Sequence, residues 1–286
     1  MDYKKLNNGI EIRALGFGVF RMDDEKEAYN SVRKAIDLGY RHIDTAKVYE
    51  NEAPIGRAIR DSGVSREELF VTTKLWTEDI ANGNEQKAFE KSLRTLGLDY
   101  VDRYLVHWPI KGKYISVWKE MEKIAQSDKA RAVGVSNYQE NHLQEIINLK
   151  SLMPAVNQIE LHPYLSQQPL VEFCTQHDIK IESWSPLCAN KNNLLQEPSL
   201  KEIGDKFSKT AAQVVLRWNI ERGLIVIPKS SNPTRQAENL DVFDFQLTVQ
   251  DMQKIDALNK DLRVGPHPDK VGLFSYKLIA QLLTYL

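Results

Sequence analysis

Two rhythms of hydrophobic and polar positions alternate along this chain. Short apolar runs fall at residues 14–16, 42–44, 69–75, 101–106, 130–135, 155–160, 180–184 and 225–228. Between them, residues 25–38, 85–96, 117–126 and 139–149 repeat apolar positions every three or four residues, the period of an amphipathic helix. Leu38-Gly39 and Leu96-Gly97 read as helix ends closed by glycine. Ahead of the first run, Asn8-Gly9 between alternating segments predicts a tight hairpin with φ > 0 at both turn positions. Parallel strands need crossovers of helical length. Eight βα units with no linker between them therefore predict a closed (β/α)8 TIM barrel of the α/β class with an N-terminal β-hairpin. A doubly wound open sheet is the alternative. No low-complexity tract divides the chain, so residues 1–286 read as one barrel domain.

Composition narrows the partners. With 286 residues, 42% hydrophobic and 27% charged, the chain can bury a sizeable core. The net charge of −1, with both signs interspersed, gives no reason to expect nucleic acid or a membrane surface. The first residues carry charge without an apolar stretch behind it, unlike a signal peptide. No run approaches the roughly 18 apolar residues of a spanning helix. Cys174 and Cys188 fit no metal-ligand spacing, so no metal is expected. They allow at most one disulfide, and a reducing, cytoplasmic location is the simpler expectation.

Candidate chemistry enters with the strand ends. His42-Ile-Asp44-Thr45 closes the second run, Thr73-Lys74 the third and His107-Trp108 the fourth. Ser136-Asn137, Asn157-Gln158, Trp184-Ser185 and Lys229-Ser230 follow at the next four. In a barrel these C-terminal ends share one mouth, the face on which active sites are built. A lysine or histidine after a single strand is ordinarily a solvated or satisfied polar group. Seven such ends in a row are much harder to assign to chance.

Several blocks of this pattern resemble the aldo-keto reductase family. They are Arg41-His-Ile-Asp44-Thr-Ala-Lys-Val-Tyr49-Glu-Asn-Glu52, Thr73-Lys74-Leu-Trp76, His107-Trp-Pro109, Gly134-Val-Ser136-Asn137, Ser183-Trp-Ser-Pro186 and Ile227-Pro-Lys229-Ser230. They occur in the family's order, between about residue 6 and residue 270. The resemblance implies a (β/α)8 barrel that reduces aldehydes and ketones with NADPH, and a monomer as the common state. It places a catalytic tetrad at Asp44, Tyr49, Lys74 and His107. Hydride addition to a carbonyl leaves an alkoxide that needs a proton donor within hydrogen-bond reach. A free tyrosine, with a pKa of about 10, is a reluctant acid near neutrality. An adjacent ammonium favours its phenolate, which gives Lys74 its part. Asp44 would hold Lys74, and His107 would orient the carbonyl oxygen.

The resemblance also implies a cofactor set. Ser136, Asn137 and Gln158 match positions that hold the nicotinamide carboxamide, and Trp184, with Ser185 after it, the place of a ring stacked on the nicotinamide. Asn232 as N-cap and Pro233 as first helical residue predict a helix N-terminus aimed at the mouth. Lys229, Ser230 and Arg235 surround it, a combination that suits a ribose 2′-phosphate and favours NADPH over NADH. Glu238 and Asn239 would contact the adenine. Phe20, Trp76 and Trp108 are expected as pocket walls, apolar surfaces suited to small, varied carbonyls. Trp184 and the short segment Pro109-Ile-Lys-Gly-Lys113 are similar to bacterial members such as diketogluconate and glyoxal or methylglyoxal reductases. Small dicarbonyls, keto-sugars and other reactive aldehydes are the implied substrates.

Two departures stand out. Lys47 occupies a place where many relatives carry a small residue, and reads as a solvated charge or as an adjustment of the mouth's electrostatics. Beyond Lys270 the resemblance fades, and residues 271–286 predict a short amphipathic helix. That tail either packs on the barrel exterior or reaches over the mouth. Two other readings stay open: an NADPH-binding sensor without turnover, and an unrelated barrel enzyme.

Overall fold

The computed structural model describes residues 2–271. Strands β1 (Tyr3–Lys5) and β2 (Glu11–Arg13) form an antiparallel hairpin with Lys5 opposite Glu11. The expected two-residue turn does not form. The Gly9 amide donates to Leu6 O, and Gly9 is the one residue of this connection with positive φ, at 87°. Asn7 and Asn8 explain the longer turn, because their side-chain amides donate to Pro154 O and Arg131 O on the barrel floor. Leu6 and Ile12 then pack on Phe70, Ala132, Val156 and Ile225, closing that end of the barrel.

The remaining strands are β3 (Phe17–Gly18), β4 (His42–Asp44), β5 (Phe70–Leu75), β6 (Val101–Val106), β7 (Ala130–Ser136), β8 (Val156–Glu160), β9 (Lys180–Trp184) and β10 (Ile225–Val226). All eight pair in parallel, in sequence order. The first strand lies later than expected, at Phe17–Gly18, where it pairs with Ile43 and Asp44. Residues 14–16 form the closing seam instead. Val226 N donates to Ala14 O and Gly16 N to Val226 O, each at 2.8 Å, around a Leu15–Val226 bridge. The result is the (β/α)8 barrel with its N-terminal hairpin.

Helices cover the outside. α1 (Glu25–Asp37) is capped by Asp24, whose Oδ1 accepts from Glu27 N at 2.7 Å. α2 (Glu52–Arg60) and α3 (Thr77–Ala81) precede α4 (Glu85–Leu96), which Gly97 ends in the left-handed region. α5 (Tyr114–Ala125), α6 (Glu140–Ile147), α7 (Gln168–Gln176), α8 (Pro198–Phe207), α9 (Ala211–Glu221), α10 (Pro233–Leu240) and α11 (Val249–Asp256) complete the shell. α5 starts three residues before the expected residue 117, because Tyr114 is itself buried against the core. Among the described residues no helix is long and apolar enough to cross a membrane, and no cluster of metal-ligating side chains occurs. The helix expected over 271–286 lies outside the described residues except for Val271, which is buried.

Candidate active site

The barrel mouth holds a cavity of about 760 Å³ that the strand-end residues line. Asp44 ends β4, Lys74 is the last residue but one of the neighbouring β5, and His107 lies just beyond β6. Parity explains why they meet. Residues 103, 105 and 107 share one face of a strand, and Lys74 pairs with Leu105. Lys74 Nζ donates to Asp44 Oδ1 at 2.5 Å and to Thr45 O at 2.9 Å, and stands 3.4 Å from the Tyr49 hydroxyl. Lys74 is fully buried, which pushes its pKa down; the Asp44 carboxylate opposes that shift.

Tyr49 comes from a single 3-10 turn, Lys47–Tyr49, which Glu50 ends at φ 56°. That turn is tied down from several sides. Thr45 Oγ1 donates to Asn51 Oδ1, and Asn51 Nδ2 donates to Val19 O and Met22 O. Lys47 is not a solvated charge. Its Nζ donates to both Asp79 oxygens, at 2.6 and 2.5 Å, joining the Tyr49 turn to α3. Asp79 lies 32 residues away on another βα loop, which sequence spacing does not reveal.

His107 sets its ring edge-on to Tyr49, centroids 5.6 Å apart, and to Trp76 at 5.3 Å. Burial and the nearby Lys74 charge hold its pKa well below the usual histidine value. The ring is therefore neutral and able to donate one N–H to an oxygen. Trp76 and Trp108 are 5% exposed and pack with Val48 and Val271 beside Tyr49 and Trp184. Phe20 lies 5.0 Å from the Tyr49 ring. The expected walls are thus assembled around the tetrad.

The other expected residues line the same cavity. Gln158 Nε2 donates to Asp44 Oδ2 at 2.8 Å and to Glu182 Oε1 at 2.5 Å. A carboxylate only accepts, so these bonds fix the amide's orientation and leave Oε1 outside them. Ser136 Oγ donates to Gln158 O, and Asn137 Nδ2 to His107 O. Asn137, at φ 65°, accepts the Trp184 indole N–H through Oδ1 at 2.8 Å. Asn232 caps α10 by accepting from Thr234 N and Arg235 N. Lys229, Ser230, Arg235, Glu238 and Asn239 form the cavity's far end beside that helix terminus. Ser185 adjoins Trp184 in the left-handed region, at φ 47°.

Sequence reasoning missed several contributors. Val264 and Gly265 also line the cavity, their amides donating to Glu160 Oε1 and Oε2. A Cβ on Gly265 would stand 2.5 Å from the Trp184 ring, so only glycine fits this approach. Arg103 and Glu182 lie inside the barrel below Lys74, both fully buried. Their signal was present as charges in the middle of apolar strands, where a barrel strand turns alternate residues inward.

The mouth of this eight-stranded parallel barrel thus brings together a buried Asp–Lys pair, a tyrosine and a neutral histidine. A model of the aldo/keto reductase family matches residues 14–260, and the chain belongs to that family. It is 49% identical over 270 residues to the glyoxal reductase of Bacillus subtilis (strain 168), covering 94% of this chain and 97% of that protein. The methylglyoxal reductase DkgA of Escherichia coli (strain K12) is 42% identical, again with 94% and 97% covered. Among solved structures, MGS-M4, an aldo-keto reductase from a Medee basin deep-sea metagenome library, superposes with a TM-score of 0.90. It is 42% identical, over 94% of this chain and 99% of that one.

Proposed function

We propose that this protein reduces small aldehydes and ketones with NADPH, with Tyr49 as general acid. The observation that carries the reading is Lys74 Nζ, buried between Asp44 and the Tyr49 oxygen, both of which line the cavity. When bound, the nicotinamide supplies the hydride to the carbonyl carbon. The chain supplies the proton. His107, neutral, donates to the carbonyl oxygen and holds it beside Tyr49. The Tyr49 hydroxyl proton passes to that oxygen as negative charge develops there, giving the alcohol. The phenolate left behind faces the Lys74 charge, which stabilises it, and regains its proton after product leaves.

Cofactor choice follows from the far end. Lys229 and Arg235 supply two cations beside the positive dipole end of α10, a setting that suits a ribose 2′-phosphate. Gln158 Oε1, with Ser136 and Asn137 beside it, suits the carboxamide, and Trp184 its ring. Glu238 and Asn239 suit the adenine. The aromatic walls of Phe20, Trp76 and Trp108 favour small, compact carbonyls, and the glyoxal and methylglyoxal reductases among the relatives make dicarbonyls the first choice. On this reading residues 1–286 act as a single-domain monomer in the cytoplasm. The free, buried thiols of Cys174 and Cys188 accord with a reducing compartment.

The test is consumption of NADPH by purified protein in the presence of methylglyoxal, followed by the cofactor's near-ultraviolet absorbance. Tyr49→Phe is expected to lose at least about 100-fold in kcat. Turnover surviving in that variant overturns the assignment, and NADPH binding without turnover in the wild type favours a sensor.

A further inference from the structure

Beneath the Asp44–Lys74 pair lies a second ion pair that the chemistry above does not use. Arg103 in β6 and Glu182 in β9 both point into the barrel and are fully buried. Arg103 Nη2 donates to both Glu182 oxygens at 2.7 Å and lies 3.9 Å from Asp44 Oδ2. Gln158 Nε2 links the two layers by donating to one oxygen of Asp44 and one of Glu182. Stability is a poor explanation for such a pair. Desolvating two ions commonly costs as much as their attraction returns, and apolar residues fill a barrel as well or better. Arg103 Nε and Nη1 are moreover buried without a hydrogen-bond partner.

We propose that the Arg103–Glu182 pair is a positioning and charge-balancing device for the Tyr49–Lys74 proton donor. The proposal rests on the reading of Tyr49 and Lys74 given above. The groups facing Lys74 are Asp44 from β4, Arg103 from β6, Glu182 from β9, His107 beyond β6, and Tyr49 itself. His42 of β4 stands 3.8 Å from Glu182, and burial holds it neutral, with its pKa pushed down to about 3. Glu160, higher on β8, is turned to His162 and to the amides of Val264 and Gly265. Burial lowers the proton affinity of Lys74 and Asp44 in contact raises it, while Glu182 and Arg103 act in opposite senses, Glu182 raising it and Arg103 lowering it.

Removing Glu182's charge leaves Arg103 uncompensated, and an arginine stays protonated. Added positive charge lowers every macroscopic pKa of the Tyr49–Lys74 couple. The experiment titrates Tyr49 in the protein without cofactor, by tyrosinate ultraviolet absorbance with Tyr49→Phe subtracted, alongside the basic limb of kcat. In Glu182→Gln both midpoints are expected to move down by about 1 pH unit. In Glu182→Gln with Arg103→Met they return to the wild-type pH. An unmoved Tyr49 midpoint in Glu182→Gln overturns the proposal. So does a displaced midpoint in the double variant, which buries no unpaired charge and folds even if the single variant does not. The titration needs no turnover, so it separates this proposal from the general-acid reading, whose failure is activity retained in Tyr49→Phe.

Discussion

On the proposed reading each side chain at the mouth does a separate job, and substitutions should separate those jobs. Lys74→Met removes the charge beside Tyr49 while leaving the far end of the cavity intact. It is expected to cost at least about 100-fold in kcat with NADPH affinity within a few-fold of wild type, measured by turnover and by quenching of protein fluorescence. Comparable turnover in that variant refutes the proton-donor assignment. Arg235→Ala should weaken NADPH binding about tenfold and leave NADH unchanged; equal losses with both cofactors refute the 2′-phosphate contact. Gly265→Ala forces a methyl into the Trp184 ring, 2.5 Å away. It is expected to raise KM through a displaced Trp184 while leaving the basic limb of kcat in place. An unchanged KM shows that the loop yields instead. At this scale the sequence was informative, because the tetrad and cavity residues stand at strand ends with unusual chemistry. Arg103 and Glu182 stood out as charges within apolar strands, but their pairing was illegible for a physical reason. A charge inside an apolar strand faces either water or a partner across the barrel, and only closure decides which.

Elements translate those residues into geometry, and the most delicate is the single turn that carries Tyr49. A 3-10 turn of three residues has little stability of its own, so its place depends on Asn51 and on the Lys47–Asp79 contact. The ion pair is a quarter exposed on the lysine side, which limits its worth to about 1 kcal/mol or less. As a population of well-placed Tyr49, that is about a fivefold effect. Lys47→Ala and Asp79→Ala should each lower kcat by roughly that factor with little change in melting temperature, and the double variant should be no worse than either. Effects that multiply in the double variant refute the contact's role. Elements also show where pattern reading stops. Residues 42–44, 101–106 and 180–184 match β4, β6 and β9, since each of these strands is buried on both faces and bounded by polar turns. The first strand and the hairpin turn were misplaced, because the pairing partners that set them, Val226 and the barrel-floor carbonyls, are distant in sequence.

For the whole molecule, buried histidines make stability depend on acid. His42 has a folded pKa of about 3, below its unfolded value of 6.5, so the unfolded chain binds the extra proton between those values. Stability is complete above about pH 6.5 and is lost as pH falls toward 3. His42 alone should remove about 2 kcal/mol between pH 6.5 and pH 5. His107 and His142, both shifted down by burial, add in the same direction. Glu52, whose carboxyl burial pushes up, works oppositely and favours the fold at low pH. Melting temperature is expected to fall steadily over that window, with the His42 ring still neutral by NMR at pH 5. A His42 midpoint near 6.5 in the folded protein refutes the account.

The barrel closes where its strands are shortest. β3 and β10 hold two residues each, and the seam between residues 14–18 and 226–228 joins chain segments more than 200 positions apart. This is where local opening should be cheapest, and amide exchange at Gly16, Gly18 and Val226 should be the fastest of any barrel strand. The cavity spans that seam, with Gly18, Val19 and Phe20 on one bank and Ile227, Pro228 and Lys229 on the other. Whatever fills it touches both banks at once. An occupant therefore works as a rivet across the barrel's weakest join, and its binding should slow exchange at the seam more than at β6 on the opposite side.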